Sequence, residues 1–599
     1  MIVQKTAVII LLLLTFFKAI RTTTNWQTPY EQSGFQKTPR YSETMAFCQK
    51  LATYSPWVHF TDFGTSPQGR KLPLLIVDRD GDFEPIALRD RQKAVVLVLA
   101  GIHAGEIDGK DAGLMLIRDL VIHKRYLNLL DHVTLMFIPI FNVDGHERFG
   151  PFHRINQNGP LEMGWRTTAQ NLNLNRDFLK ADTPEMRAFL TLFTRWLPDL
   201  LIDCHVTNGA DYQYELTYII DQSPLLPDPL RSWAREVLEP EFIRQMRSSR
   251  KRIFPYFWIR DRKNLQQGLI HPTLSPRFST GYGSIQNRIF MLLETHMLKP
   301  YKTRVEVTYA ALKSLLTIVN QQANTLPTLN QQADKRTAEQ LSGRWLPLKF
   351  QVDTRDTTWV DFLGVDYQIS RSDISGTDWI QYRPIPRTYR VPFFDQLIVQ
   401  DSARIPYAYL IPPQWTSVIQ RLKWHGVQLQ YLLRDTVLTI LSYRFNDPGW
   451  QKRPFEGRHL MTYRYFPIEE TRFFPAGTAV VIMNQRSNRV VAHLLEPGAP
   501  DALLVWGFWN TIFEQKEYAE LYKLEQLARK MLAEDPRLRE AFLQKLNSDS
   551  AFAANPRARL YFFYQRSPYW DQKLNRYPVG KLMKKVYLPI TTQSPIRLN

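Results

Sequence analysis

The sequence is poor in cysteine for a chain of its length. Its 599 residues contain only Cys48 and Cys204, which excludes a small scaffold held by many disulfides and leaves one disulfide open. The sequence also lacks a block of Lys and Arg residues, although its net charge is +19. Basic residues scattered in this way argue against nucleic acid as the partner. With 44% hydrophobic and 22% charged residues, the composition is that of a globular protein, and the length indicates two or three domains.

A predicted transmembrane helix is absent too. The apolar run near the N-terminus, Ala7–Phe17, has eleven residues, whereas a helix needs about 20 to span a bilayer. Lys5 precedes this run and Lys18 follows it, which is typical of a signal peptide. We therefore predict a signal peptide or an uncleaved N-terminal anchor at residues 1–22, and a secreted or periplasmic location. No clean A-x-A cleavage site follows, so the sequence does not decide between cleavage and anchoring.

Apolar runs alternate with amphipathic stretches between residues 93 and 320. This alternation predicts an α/β domain at residues 23–322 with three layers and a mixed, mostly parallel sheet. Thr183 and Pro184 predict the start of one helix, as N-cap and first residue. The predicted strands are "AVVLVLA" (94–100), "HVTLMFIPIFNV" (132–143), "DLLIDCHV" (199–206), "YQYELTYII" (212–220) and "RIFMLLE" (288–294).

The second half of the sequence has a different composition. Residues 323–343 are polar and contain Pro327, and we predict a linker there. Strand-like runs follow, and nine of the fifteen tryptophans lie beyond Gly343. We predict a β-rich accessory domain at residues 344–504 and a helical C-terminal segment at 505–599. In that segment an apolar stripe of one helix would comprise Tyr518, Leu521, Tyr522, Leu524, Ala528 and Met531.

Two strong metal ligands stand on a glycine-rich turn in "AGIHAGEIDGKDAG". His103 and Glu106 follow directly after a predicted buried strand, and His205 ends another one. Open α/β sheets place their ligands at the carboxyl ends of strands. Two histidines, one glutamate and an open fourth position make a common catalytic zinc site. Cys204 points to the opposite side of its strand, so we do not expect it to bind the same metal.

Further polar residues stand in loops and at another strand end. Arg154, Asn175 and Arg176 lie in a region rich in asparagine and glycine, where each taken singly is compatible with a plain surface residue. Together they could bind a carboxylate and stabilise an oxyanion. Glu294 ends the apolar run from Ile289 to Leu293. It is either a strand end that faces solvent or a general base beside a zinc-bound water.

In this order, the motifs "HAGE", "FNVDG", "R-x-N-x-NG", "LNLNRDF", "DCH" and "LLETH" resemble the zinc carboxypeptidases of the carboxypeptidase A/B type, the funnelins. The resemblance covers roughly residues 40–320 and implies a catalytic domain there. It implies Zn2+ as cofactor, bound by His103, Glu106 and His205. It also implies an exopeptidase, whose partner is a peptide or protein with a free C-terminal carboxylate.

The resemblance assigns a role to each of the other residues. Glu294 would be the general base that acts on the metal-activated water and then protonates the leaving amine. Arg154 would help to stabilise the oxyanion. Asn175 and Arg176 would bind the C-terminal carboxylate of the substrate, and Tyr282 is the nearest tyrosine that could close over it.

The sequence departs from the family at several positions. Gly105 stands where the family often has an arginine, which removes one group that binds the carboxylate. Asn173 stands where an acidic residue usually supports a zinc histidine, so zinc affinity would be lower. Arg277 and Arg288 flank Tyr282 and could take over recognition of the carboxylate. The sequence nominates no acidic residue as a selector for basic C-terminal residues.

Two other functions remain open at this point. A zinc amidohydrolase that acts on N-acyl amino acids or cell-wall peptides would use the same arginines and asparagine. A non-catalytic binding protein would use the tryptophans of the second half, although aromatic residues in strands are more often part of a core. Retention of three ligands and a base favours an enzyme over the binding protein.

Overall fold

The structure is a computed structural model that describes residues 25–86, 93–207 and 209–593. The predicted signal peptide or anchor at residues 1–22 lies outside these ranges. Within them, none of the helices combines the length and the apolar character needed to cross a membrane. Cys48 and Cys204 are both buried free thiols.

The helices, numbered in chain order, are α1 Pro29–Gln32, α2 Tyr41–Tyr54, α3 Asp108–Val121, α4 Val143–Glu147, α5 Pro184–Trp196, α6 Leu230–Trp233, α7 Glu239–Ser248, α8 Ser279–Ile285, α9 Tyr301–Gln321, α10 Thr325–Gln340, α11 Thr416–Trp424, α12 Asn488–Leu495, α13 Leu521–Glu534, α14 Pro536–Ser548, α15 Ser550–Ala553 and α16 Pro556–Tyr564. A π-helical turn covers Ala234–Leu238, and short 3-10 turns cover Leu127–Leu130, Leu174–Arg176, Leu265–Gln267 and Asn510–Phe513.

The strands are β1 Val58–Thr65, β2 Lys71–Val77, β3 Ala94–Ala100, β4 Val133–Ile138, β5 Leu200–Thr207, β6 Leu216–Ile220, β7 Ile253–Pro255, β8 Trp258–Ile259, β9 Leu269–Ile270, β10 Ile289–His296, β11 Trp345–Val352, β12 Thr358–Arg371, β13 Asp378–Phe394, β14 Leu397–Arg404, β15 Ala408–Ile411, β16 Gln430–Leu432, β17 Thr436–Trp450, β18 Met461–Phe474, β19 Ala479–Ile482, β20 Gly580–Leu582 and β21 Ile590–Thr591.

Eight strands form the central sheet, in the order β1-β2-β4-β3-β5-β10-β6-β7. The pairs β3–β4, β3–β5, β5–β10 and β6–β7 are parallel. The pairs β1–β2, β2–β4 and β6–β10 are antiparallel. The prediction of a mixed, mostly parallel sheet is therefore confirmed. Its centre is parallel, so the carboxyl ends of β3, β5 and β10 lie at one edge.

Helices cover both faces of this sheet. Val96 and Val98 of β3 belong to one apolar cluster, which includes Leu114 and Ile117 of α3. The alternate residue Leu97 belongs to the cluster on the other face, which includes Phe189 of α5. Because both faces are covered, β3 is buried along its whole length. Helix α5 starts as predicted, since the Thr183 side chain accepts a hydrogen bond from Met186 N at 3.2 Å.

The second half is built on a seven-stranded antiparallel sheet in the order β18-β17-β20-β15-β19-β16-β21. One face of this sheet does not form a separate core, but packs against the first half of the chain. Tyr409, Val418 and Val491 belong to the same apolar cluster as Phe193 and Trp196 of α5. One continuous core therefore joins the two halves.

The segment expected to be a polar linker is largely helical. Helix α10 spans Thr325–Gln340 and buries Leu326, Asn330, Ala333 and Thr337 along one face. Pro327 lies in its first turn, where a missing N–H costs no intrahelical hydrogen bond. The polar composition reflects the exposed face of this helix.

The C-terminal segment is mostly but not entirely helical. Helices α13–α16 form a small core around Phe542, Phe552 and Phe563. Of the predicted stripe on α13 only Leu524 and Ala528 are buried, and Tyr518 and Tyr522 are exposed. Strands β20 and β21 then return to the sheet of the second half.

Candidate active site

Three predicted ligands meet where the strands β3 and β5 end. His103, Glu106 and His205 are all buried, and one donor atom of each lies within 4.8 Å of the others. His205 Nδ1 is 3.2 Å from His103 Nδ1 and 2.9 Å from Glu106 Oε2. His103 Nδ1 is 3.1 Å from Glu106 Oε1. Two imidazole nitrogens and one carboxylate therefore face a common point, and this donor set fits a zinc ion.

The turn after β3 holds this arrangement through its backbone. Gly101 has φ +68°, a conformation that glycine adopts without strain. The backbone N–H of Val206 donates to Glu106 Oε2 at 3.0 Å, which ties the turn to the end of β5. At Gly105 a Cβ atom would lie 2.8 Å from Gly164 O and 2.9 Å from Arg154 Cγ. The chain at Gly164 therefore occupies the space that a side chain at position 105 would need.

Neighbouring polar groups orient the two histidines. His103 Nε2 lies 3.1 Å from Asn173 Oδ1, so an N–H there donates to the amide oxygen and leaves Nδ1 free to bind a metal. Burial lowers the pKa of His103 to about 3, which favours the neutral imidazole that ligates metals. His205 Nε2 lies 3.0 Å from Asp203 Oδ1. Burial alone would raise the pKa of Glu106, but His103 and Arg154 hold it well below its ordinary value.

Glu294 lies on β10, next to the strand that carries His205. Strand β10 is parallel to β5, with Glu294 directly opposite His205 in the register. Burial raises the pKa of Glu294 to about 8, with a contribution from Glu106 and with His205 opposing it. Its Oε2 has no hydrogen-bond partner within the described part of the chain. A partly buried carboxyl with one unpaired oxygen is suited to take up and release a proton.

Three arginines lie near the proposed metal ligands and Glu294. Arg154 Nη1 lies 2.8 Å and Arg166 Nη1 lies 3.2 Å from Glu106 Oε1. Arg176 donates to the carbonyl of Asn175 at 2.7 Å, and its guanidinium packs on the ring of Phe278 at 4.3 Å. No carboxylate among the described residues pairs with Arg176. The site therefore holds a cation that is available for an anionic ligand.

His103, Glu106, Arg166, Arg176 and Glu294 line a cavity of about 210 Å³, whereas Arg154 and His205 are not among its lining residues. Five of the residues that line this cavity were predicted from the sequence as site residues: His103, Glu106, Asn175, Arg176 and Glu294. The prediction missed the other lining residues, because no motif in the sequence distinguished them: Arg166, Val206, Thr207, Tyr256, Trp258, Leu274, Phe278 and Leu292. An arginine within the loop "GWRTT" carried no signal that would have distinguished it from a surface residue.

Part of the chain matches a family of known proteins. Residues 44–202 match the family model described as zinc carboxypeptidase. This segment is a zinc carboxypeptidase domain. His103, Glu106, Arg154, Asn175 and Arg176 lie inside the matched range, whereas His205 and Glu294 follow it in the sequence.

Similarity to curated carboxypeptidases covers more of the chain than this domain. Carboxypeptidase 2 of Trichophyton rubrum is 24% identical over 492 residues, which cover 78% of this chain and 84% of that protein. Carboxypeptidase 2 of Trichophyton tonsurans is 22% identical over 491 residues, with the same coverage of 78% and 84%. The similarity to these proteins thus reaches beyond the first half. The family match and these relatives together support a metallocarboxypeptidase.

Solved structures of metallocarboxypeptidases also align with part of the chain. One from Burkholderia cenocepacia has 18% sequence identity and a TM-score of 0.35, over 47% of this chain and 69% of its own. Carboxypeptidase A from Helicoverpa armigera has 19% identity and a TM-score of 0.35, over 48% of this chain and 75% of its own.

The structure does not bring Tyr282 into the site of the carboxypeptidase domain. Tyr282 is fully buried in α8, and its hydroxyl bonds His425 Nδ1 at 2.9 Å and Gln286 Nε2 at 2.7 Å. Gly283 explains this position, because a Cβ there would lie 2.4 Å from the Phe290 ring. The helix packs flat against β10 and turns Tyr282 into the core.

Arg277 and Arg288 are not free to bind a substrate carboxylate either. Arg277 Nε lies 2.5 Å from Asp501 Oδ1, and Arg288 Nη2 lies 2.9 Å from Asp334 Oδ2. Neither lines the cavity. Both arginines are neutralised by carboxylates elsewhere, and the cavity has Arg166 instead.

Proposed function

We propose that the chain removes C-terminal residues from peptides with a zinc ion bound by His103, Glu106 and His205. The observation that carries this proposal is the convergence of these three buried donors, with Glu294 opposite His205 in the register of β10 and β5. A zinc ion held by these residues would supply Lewis-acid chemistry that makes a water molecule more acidic. Asn173 and Asp203 would orient the two imidazoles toward it.

Glu294 acts as the general base in this proposal. It takes a proton from the attacking water and later gives it to the leaving amine. The raised pKa of its carboxyl supports this, since a base must hold the proton between the two steps. Arg154 stabilises the negative charge that develops on the carbonyl oxygen. Its position beside Glu106 places it next to the metal ligands.

Arg176 and Asn175 bind the terminal carboxylate of the substrate. Asn175 is buried and lines the cavity, where its side-chain NH2 would donate a hydrogen bond to the carboxylate. Arg166 supplies a second cation in this cavity and compensates for the glycine at position 105. Tyr256, which lines the cavity beside Glu294, takes the place that the sequence assigned to Tyr282.

A mixture of peptides incubated with the zinc-loaded protein tests the proposal. We expect products shortened one residue at a time from the C-terminus, and none from Glu294→Gln. Glu469→Gln is the matched control, because Glu469 is exposed on β18 far along the chain from the site residues. Bound zinc without peptide trimming would instead favour an amidohydrolase acting on N-acyl amino acids or cell-wall peptides. Absence of bound zinc would refute both enzymes and favour the non-catalytic binding protein.

The assignment of the carboxylate-binding groups has its own test. Arg176→Gln and Arg166→Gln are each expected to raise KM about 10- to 100-fold for a peptide acid, because each removes a charge-assisted hydrogen bond. Cleavage of the matching C-terminal amide should be slow in the wild type and unaffected by either change. Equal KM values for wild type and Arg166→Gln would remove Arg166 from the substrate site.

We also propose that the protein is secreted or periplasmic. The support is the basic and apolar pattern of the first residues, with Lys5 before the run Ala7–Phe17. Expression of the full chain followed by N-terminal sequencing of the exported protein tests this. A start near residue 23 would indicate a cleaved signal peptide, and retention in the cytoplasm would refute export.

A further inference from the structure

The proposed carboxylate-binding pocket stands on two segments outside the central sheet. One is the 3-10 turn Leu174–Arg176 with Asn173 before it, and it carries Asn175 and Arg176. The other ends at Phe278, immediately before α8, and its ring packs against the Arg176 guanidinium. Loops of this kind need contacts from elsewhere to keep their side chains in place.

The first contact comes from the hairpin between β17 and β18 in the second half. Glu456 Oε2 accepts a hydrogen bond from the backbone N–H of Asn173 at 2.8 Å. The side chain of Asn173 in turn contacts two site residues. Its Oδ1 accepts from His103 Nε2 at 3.1 Å and from the N–H of Asn175 at 2.9 Å. Glu456 is thus linked through a single residue to a metal ligand and to the pocket.

The hairpin turn that carries Glu456 has an unusual backbone. Glu456 has φ +51° and Gly457 has φ +72°, and the left-handed region costs a residue other than glycine free energy. The flanking residues hold the turn in place. Arg458 bonds Asp182 through Nε at 2.7 Å and Nη2 at 2.8 Å. Phe455 stacks on Trp506, with ring centroids 6.0 Å apart. A strained turn held so firmly against the site indicates a functional constraint.

The second contact involves Asp501, which is fully buried. Its Oδ2 accepts from the backbone N–H of Arg277 at 2.8 Å, and its Oδ1 accepts from Arg277 Nε at 2.5 Å. The Arg277 guanidinium also lies 5.1 Å from the centroid of the Trp506 ring. Because Phe278 follows Arg277 directly, Asp501 fixes the wall on which Arg176 packs.

We infer that the second half of the chain is part of the active site, with Glu456 and Asp501 as positioning residues for the carboxylate-binding pocket. This inference rests on the proposed function. Glu456 positions Asn173, and through it His103 and Asn175. Asp501 positions Phe278, and through it Arg176. The two residues therefore have different consequences: Glu456 affects both zinc and substrate, whereas Asp501 affects substrate alone.

Steady-state kinetics and zinc competition with a chelator separate these effects. Glu456→Ala should raise KM for a peptide acid about tenfold and weaken zinc binding by a similar factor, as loss of an indirect metal support does. Glu456→Gln keeps an oxygen acceptor for the Asn173 N–H, so both quantities should stay within about threefold of wild type. Asp501→Asn should raise KM by about tenfold with zinc affinity unchanged. In Glu456→Ala and Asp501→Asn, KM should change more than kcat.

Glu469→Gln, an exposed change on β18, is the control for loss of a carboxylate in the same hairpin. Thermal unfolding of each zinc-free variant shows whether it is folded. Wild-type KM and zinc affinity in folded Glu456→Ala and Asp501→Asn would refute the inference. A lower melting temperature with unchanged KM would refute it too, because it would show a role in stability alone. Failure of the proposed function is distinguishable, since the wild type itself would then bind no zinc or trim no peptide.

Discussion

Asn173 supports a proposed metal ligand with a neutral amide rather than a carboxylate. Its Oδ1 accepts from His103 Nε2. A carboxylate at this position would make the imidazole a stronger ligand. We expect Asn173→Asp to bind zinc about tenfold more tightly than wild type, measured by competition with a chelator. Asn173→Ala, which removes the acceptor, should bind zinc more weakly than wild type. Equal zinc affinity in all three proteins would contradict this role for Asn173.

The sequence predicts the metal group better than the substrate pocket. His103, Glu106, His205 and Glu294 each follow or end an apolar strand, and parallel strands bring their carboxyl ends together. Arg166, Tyr256 and Glu456 come from loops and a distant hairpin, whose paths depend on tertiary packing. The prediction for Tyr282 was wrong because proximity in sequence does not tell which way a helix faces. Close packing of Gly283 on Phe290 decides that orientation.

At the scale of elements, α3 lies unusually close to the central sheet. A Cβ at Gly113 would be 2.4 Å from the Phe137 ring on β4. We expect Gly113→Ala to lower the free energy of unfolding by about 1–3 kcal/mol through overpacking, although alanine favours helix by about 1 kcal/mol. Urea unfolding measures this change.

A change at Phe137 provides the control for the Gly113→Ala prediction. Phe137→Leu removes atoms that the new Cβ would meet, so the double variant should recover part of the loss. Simple additivity of the two changes would show that the helix and the strand do not clash at this point.

Element types were predictable where the pattern was periodic, and element partners were not. The strands β3, β5 and β10 were predicted from apolar runs, and α5 from its cap. Helix α10 was not predicted from the sequence, because its buried face contains the polar residue Asn330. The Asn330 side chain donates a hydrogen bond to Asp199 Oδ1 at 2.9 Å. The exposure of Tyr518 and Tyr522 followed from the small separate core of α13–α16, which a stripe on one helix cannot reveal.

At the scale of the whole molecule, the two halves share one core. Thr194 of α5 lies so close to Gly426, just after α11, that a Cβ at Gly426 would be 2.9 Å from Thr194 Cγ2. A chain that stops at residue 342 would expose Phe193 and its apolar neighbours. We expect such a chain to aggregate or to lack fixed tertiary structure, measured by soluble yield and near-UV circular dichroism. A cooperative unfolding transition in the shortened chain would contradict this expectation.

Acid should destabilise the whole molecule through its buried histidines. Burial lowers the pKa of His146 to about 3, of His425 to about 4 and of His493 to about 3. The unfolded state takes up protons below about pH 6.5, while these folded imidazoles stay neutral. Stability is therefore fully present above pH 6.5 and falls as the pH decreases toward 4. Each histidine contributes up to about 1.4 kcal/mol for each pH unit.

His493→Leu isolates one of these contributions. Neither ring nitrogen of His493 has a hydrogen-bond partner within the described ranges, and apolar residues of α12 surround it in sequence. The variant should lose less stability than wild type between pH 6.5 and 4.5, measured by urea unfolding at several pH values. An identical pH dependence in the two proteins would show that His493 does not stay neutral in the folded state.

Strand β20 lies between β17 and β15 in the sheet of the second half. Its last residue, Leu582, follows the end of β19 at Ile482 by one hundred positions. A ribosome that adds about 5–20 residues each second makes this stretch in roughly 5–20 seconds. During that interval the nascent sheet has a gap at its centre, and the facing edges of β15 and β17 expose unpaired backbone groups. The time during which these strand edges can pair with other chains is therefore set by translation speed, because β20, which fills the gap between β17 and β15, is synthesised late.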